Sequence, residues 1–310
     1  MDQIVSHCLQ DGETEVKVLS MGCAVMDWII RGRHVVLGYL DPEHYRQNPA
    51  SMGAICGRVA NRIAQARFDL NGTEYRLPAN AAPHHLHGGP HGLARRNWDM
   101  SPDGRRAVEF RLVSEDGDQG YPGRVAFRVI MRLEGGRLTW DMHAVPDRMT
   151  PINLAQHLYF NLNGVGTVAD HVLSVQADRY TPNGPDQVPL GRIEPVNGTD
   201  FDFRTPVRLG DGDGWDGNLA LNNHPGQAAE VVAPDGMRLG LWTDQPGLQV
   251  YTSNSLRPDL PSGPGAEHGS FAGLCLEAQG FPNAVNVPDF PSILCSPDAP
   301  YRQVTSIEIG

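Results

Sequence analysis

RVAFRVIMRL (residues 124–133), joined through EGGR (134–137) to RLTWDMHAV (137–145), is the stretch that decides the fold class. In the first run Val125, Phe127, Val129 and Met131 fall on one side of an extended chain, with Ala126, Arg128 and Ile130 on the other. Side chains of a pleated strand point alternately to its two faces, so this period of two is a strand signal. EGGR then connects the two runs as a tight hairpin.

Outward from that hairpin the same kind of run recurs in EVKVLS (15–20), RHVVLGYL (33–40) and GLQVYTSNSL (247–256), separated by Gly, Pro, Asn and Asp. Helical stretches are scarce, and 35 Gly with 25 Pro would break long helices repeatedly. Many short strands and turns imply a sandwich or barrel, an architecture in which one domain can exceed 250 residues. With no internal repeat, low-complexity tract or linker, residues 1–310 read as a single large antiparallel all-β domain. GDGDGWDGN (210–218) and PDLPSGPGAEHG (258–269) read as long loops, which on a β scaffold often carry function.

Composition narrows the function. A formal charge of −11, a pI of about 5.5 and no block of Lys or Arg argue against capture of nucleic acid or an anionic membrane. A neutral small-molecule substrate fits better. MDQIVSHCLQDGETE lacks the basic start and apolar run of a secretory signal, and no apolar stretch approaches the roughly 18 residues of a membrane span. The five cysteines, Cys8, Cys23, Cys56, Cys275 and Cys295, are odd in number and form no CxxC pair. They read as free thiols, mostly small buried residues, in a reducing cytoplasm.

AAPHHLHGGPHG (81–92) holds four of the twelve histidines. On a strand His85 and His87 would share a face, with His91 as a third metal ligand. Such sites usually need a carboxylate too, and none occurs between Tyr75 and Trp98. Alone, the loop reads as a polar turn.

Its company changes that reading. GRxANRI at 57–63, LHGG at 86–89, HxYFNL at 157–162 and LExQxFP at 276–282 occur in order, with GYPG at 120–123 and a terminal YRQVTSIEI. In these motifs the chain resembles the aldose 1-epimerases, the galactose mutarotase family, over essentially its whole length. The resemblance implies a galactose mutarotase-like β-supersandwich; the oligomeric state, monomer or homodimer, is left open by the sequence. It also implies a cofactor-independent and metal-independent isomerase that interconverts the α and β anomers of a free sugar.

That chemistry needs two acid/base groups on opposite sides of a polar pocket, one at the C1 hydroxyl and one at the ring oxygen. Glu277, amid the apolar run GLCLEAQGF, has a reference pKa of about 4.3 that burial would raise. The resemblance makes it the base at the C1 hydroxyl. His157, with a reference pKa of about 6.5, can carry a proton at working pH, and the resemblance makes it the acid at the ring oxygen. His87 matches the histidine that binds and polarises the sugar. Asn61 and Arg62 match a pair that hydrogen-bonds sugar hydroxyls, and Asp216 and Gln249 match further binding residues. Phe281 or Trp215 would stack on the sugar or pack into the core.

His84, Gly217 and Asn283 stand where the family usually has Asn, His and Asp. Placed in and around the pocket, they bear on substrate identity. The rival readings keep the fold and change the substrate, to a pentose, deoxy sugar, sugar acid or lactone, or make the protein a non-catalytic carbohydrate binder. Retention of both Glu277 and His157 speaks against the second.

Overall fold

The structure, a computed structural model, describes residues 3–222 and 226–310. The hairpin that opened the sequence reading forms as read. Val125–Glu134 pairs antiparallel with Arg137–Pro146, closing at Glu134 opposite Arg137. Gly135 and Gly136 both have positive φ, the conformation a two-residue turn needs to match the twist of its strands. Val125, Phe127, Val129, Met131 and Leu133 are buried, and their neighbours are exposed or half-buried.

This pair lies within a nine-stranded antiparallel sheet. Its spatial order is Asp99–Asp103, Ala107–Ser114, Val125–Glu134, Arg137–Pro146, Tyr301–Ile309, Arg238–Thr243, Ala229–Val232, Val172–Val175 and Val207–Arg208. A five-stranded sheet runs Glu194–Pro195, Arg179–Thr181, Asp216–Ala220, Gly247–Tyr251, Cys275–Gln279. A third sheet has four consecutive strands, Ser6–Asp11, Thr14–Leu19, Ala24–Ile30 and Arg33–His34. Among the described residues the helical elements are short 3-10 turns, as the Gly and Pro content requires.

The largest apolar cluster fills the space between these sheets. Trp28 of the four-stranded sheet meets Trp140 of the nine-stranded one at 6.4 Å between ring centroids, and Leu248, Val250, Leu276 and Ala278 of the five-stranded sheet join them. Truncating a buried Trp of this kind typically removes 3–5 kcal/mol.

Two expected elements differ. RHVVLGYL pairs as a ladder only at Arg33–His34, then continues through isolated bridges at Val36 and Tyr39. Val35, Val36 and Leu37 are all buried, so the segment is core-filling on both faces rather than a half-exposed strand. The loop at 210–218 ends earlier than read, because Asp216–Ala220 is a strand.

Candidate active site

The five-stranded sheet has a core face and a polar face, set by alternation. On Cys275–Gln279, Leu276 and Ala278 enter the core, so Cys275, Glu277 and Gln279 take the other side. The register aligns Gln249 with Glu277 and with Asn218, and Tyr251 with Cys275 and with Asp216. Two rungs of three residues thereby bring the carboxyls of Glu277 and Asp216 and the amide of Gln249 onto one surface.

A second wall comes from the segments around the histidine loop. Arg62–Ile63 pairs with His85–Leu86. The Asn61 amide N–H donates to His87 Nδ1 at 3.1 Å, while the His87 N–H donates to the Asn61 carbonyl at 3.0 Å. Gly88 makes this turn possible. Its φ is +80°, and a Cβ there would lie 1.7 Å from the Gly57 carbonyl oxygen. His157 completes the site, its backbone clamped between Gly53 and Ala54 by two hydrogen bonds of 2.9 Å.

These walls enclose a cavity of about 290 Å³ lined by Asn61, Arg62, His87, His157, Asp216, Gln249 and Glu277. All seven expected site residues therefore converge. His157 Nε2 lies 3.6 Å from Glu277 Oε1. Glu277 is 2% exposed, and its Oε2 has no hydrogen-bond partner among the described residues. Gln249 Nε2 donates to Asp216 Oδ1 at 2.6 Å.

Burial dominates the electrostatics. It raises the Glu277 carboxyl well above the usual range, helped by repulsion from Asp216 and opposed by Arg62. It also raises Asp216, against Arg62 and the Gln249 hydrogen bond. Burial holds His157 down at about 4 in the ligand-free protein. His87 is pushed well below the ordinary histidine value, first by burial and then by His157. A backbone N–H donating to its Nδ1 also requires that nitrogen to be bare, so neutral His87 carries hydrogen on Nε2.

The histidine loop divides its labour. His85 is fully buried, with Nδ1 2.8 Å from the Pro78 carbonyl and Nε2 2.8 Å from the Tyr121 hydroxyl, so both ring nitrogens are engaged. His91 is exposed. His87 has φ +50°, which ends the strand after Leu86 and separates the two imidazoles that a continuous strand would have aligned. Among the described residues, the His/Cys/Asp/Glu group close enough to share an ion is instead His157, Cys275 and Glu277.

Other expectations shift. Phe281 packs on Phe290, and Trp215 packs on Phe203 with its indole N–H donating to the Asp200 carbonyl; neither lines the cavity. The aromatic lining is Tyr39, Tyr159 and Tyr251, three residues whose strand-like or motif settings gave no sign of a polar duty. His84, Gly217 and Asn283 also stand outside the lining. His84 Nδ1 accepts from the Gln65 N–H, and Asn283 Oδ1 accepts from the Ala64 N–H, so both support the chain behind Arg62. Gly217 lies against the Phe201 ring, where a Cβ would come within 2.5 Å of ring carbons.

The sequence model of the family described as "Aldose 1-epimerase" matches residues 6–308. The chain belongs to the aldose 1-epimerase family. It is 39% identical to the galactose mutarotase of Rattus norvegicus, over 96% of this chain and 91% of that one. It is 34% identical to the aldose 1-epimerase of Escherichia coli K12, over 89% and 85% of the two chains. Among solved structures, an aldose epimerase homologue from C. elegans superposes with a TM-score of 0.94 at 26% identity, covering 99% of both chains. Galactose 1-epimerase from Lactobacillus acidophilus gives 0.87 at 25% identity, covering 99% of this chain and 98% of that one. The galactose mutarotase-like β-architecture of this aldose 1-epimerase family member is thus the family's own. No helix among its described residues is long and apolar enough to cross a membrane.

Proposed function

We propose that the protein interconverts the α and β anomers of a neutral free aldose without a cofactor, with Glu277 as base and His157 as acid. The observation that carries this reading is the buried His157–Glu277 pair, 3.6 Å apart, in a cavity ringed by hydroxyl-binding side chains.

One proton serves the pair. Burial of both groups favours neutral His157 beside protonated Glu277 in the free protein. A bound sugar gives the orphaned Oε2 a hydroxyl donor, and Arg62 adds positive charge nearby; both favour the carboxylate and move the proton to His157. Glu277 then takes the C1 hydroxyl proton while His157 Nε2–H protonates the ring oxygen. The C1–O5 bond breaks, leaving an aldehyde and a C5 hydroxyl. The protein returns to its neutral pair, the arrangement that burial of both groups favours. Rotation about C1–C2 and reversal of both proton transfers close the ring on the other face. His87 donates from Nε2 to the sugar without changing its own charge.

The test is polarimetry or NMR anomer exchange on freshly dissolved α-D-galactose, α-D-glucose and a panel of pentoses and deoxy sugars. Acceleration of at least one sugar, lost in Glu277→Gln and in His157→Asn, supports the reading. Near-normal exchange in either variant overturns the role assigned to that residue. No acceleration of any sugar turns the reading to a sugar acid or lactone.

A further inference from the structure

A histidine that gives and takes a proton at one ring nitrogen needs a fixed arrangement at the other. The surroundings of His157 Nδ1 supply one. Cys275 Sγ lies 3.7 Å from Nδ1, within hydrogen-bonding range for sulfur. The Tyr159 hydroxyl influences the same thiol, and it donates to the Ala50 carbonyl oxygen at 3.0 Å.

The far end of this chain sets its direction. A carbonyl only accepts, so Tyr159 O–H must donate to Ala50. Its oxygen is then free to accept the Cys275 S–H. The sulfur, 3.7 Å from Nδ1, can then accept from Nδ1–H. The Tyr159 ring stacks on the imidazole at 5.1 Å and 25°, while His87 meets it edge-on at 5.2 Å and 75°, so the ring plane is held as well.

We propose that Cys275 and Tyr159 are positioning residues that hold neutral His157 as its Nδ1–H tautomer, leaving Nε2 as the single nitrogen exchanging a proton beside Glu277. The ring-opened stage of the reaction requires this tautomer. After Nε2 has protonated the ring oxygen, only Nδ1 still bears hydrogen, and the bare Nε2 is ready to take the proton back. The alternative tautomer would block Nε2 with a hydrogen and strand the open-chain sugar. Cys275 is completely buried and does not line the cavity, so its action is through His157. This inference rests on His157 acting as the acid.

The test reads the tautomer directly. In 15N NMR of the wild-type protein, the His157 ring signals, assigned by their loss in His157→Asn, should show a protonated Nδ1 and a bare Nε2. Cys275→Val keeps the bulk but removes the acceptor. It should admit the other tautomer and lower kcat about five- to tenfold, with KM within about twofold. Cys275→Ser restores an accepting and donating group and should recover most of the rate. A role in packing alone predicts the opposite order, with Val tolerated and Ser harmful. A wild-type ring protonated on Nε2, or a Cys275→Val protein with unchanged tautomer and kcat, overturns the proposal. The spectrum needs no turnover. An active His157→Asn enzyme would therefore refute the catalytic reading separately from the tautomer.

Discussion

Glu277→Gln separates what this carboxyl does for the reaction from what it does to the fold. The substitution keeps the side chain's shape but removes its ability to accept a proton, which on the proposed mechanism comes from the C1 hydroxyl. A general base contributes roughly 10²- to 10⁴-fold, or about 3–5 kcal/mol of barrier. The anomer exchange rate should therefore fall at least about a hundredfold. Stability should move differently. Glu277 is 2% exposed, one oxygen lacks a partner, and Asp216 opposes its charge. Its folded pKa lies above the unfolded value of about 4.3, so the folded state holds a proton that the unfolded state releases. Stability is then lost as pH rises from about 4.3 towards the raised folded value. Gln does not titrate, so the variant's stability should vary less over that window. At pH 7 it should equal the parent's or exceed it by up to about 1–3 kcal/mol. NMR saturation transfer between the two anomeric protons reads the rate, and urea denaturation at pH 5 and pH 8 reads the stability. A variant that retains a third or more of the rate, roughly a 1 kcal/mol effect or less, would refute the assignment of the base. So would a destabilisation of more than about 2 kcal/mol, because the carboxylate would then be a structural group.

Gly217→His restores the residue usual in the family at that place, yet it should destabilise this chain by about 1–3 kcal/mol in chemical denaturation. The Phe201 ring occupies the space, and Phe201→Ala in the same chain should recover part of the loss. Acid should unfold the protein before its carboxylates are fully protonated. His85, His157 and His171 are each held neutral down to about 4, against an unfolded value of about 6.5. The unfolded state thus binds more protons between those values, and stability is lost as pH falls across that window, by up to ~3 kcal/mol per residue. A flat unfolding free energy from pH 6.5 to 4 would contradict this. Gly88→Ala should abolish activity by forcing His87 and Gly57 apart, since its Cβ would lie 1.7 Å from a backbone oxygen. An active variant with unchanged melting temperature would show that the turn has slack.

The strands were legible where one face meets the core and the other meets solvent. Val125–Glu134 alternates in sequence because it alternates in environment. Cys275–Gln279 does not, since both its faces are buried, one by apolar side chains and one by the cavity wall. There the LExQ motif gave more than periodicity did. The seven site residues were legible through short motifs, but their meeting depends on register and on turns such as the positive φ at Asn61 and His87. Tyr39, Tyr159 and Tyr251 were missed because a tyrosine in an apolar run looks like core until its hydroxyl is located. The lowering of the His157 pKa was not legible, because it comes from burial, which the residue's neighbours in sequence do not report.

The two rungs across Asp216–Ala220, Gly247–Tyr251 and Cys275–Gln279 have a further consequence for how such a protein can diversify. Slipping any one of these strands by a single residue would exchange its cavity and core faces, sending Glu277 inward and Leu276 into the cavity. Lengthening or shortening the chain within the strands is therefore forbidden. The connection between Tyr251 and Cys275, which brings Ser255, Arg257, Asp259 and His268 to the rim of the cavity, is tied to neither rung along most of its length. Insertions and deletions there can reshape the entrance while Asp216, Gln249 and Glu277 keep their spacing. The wall can thus keep its register while the entrance varies in length and charge.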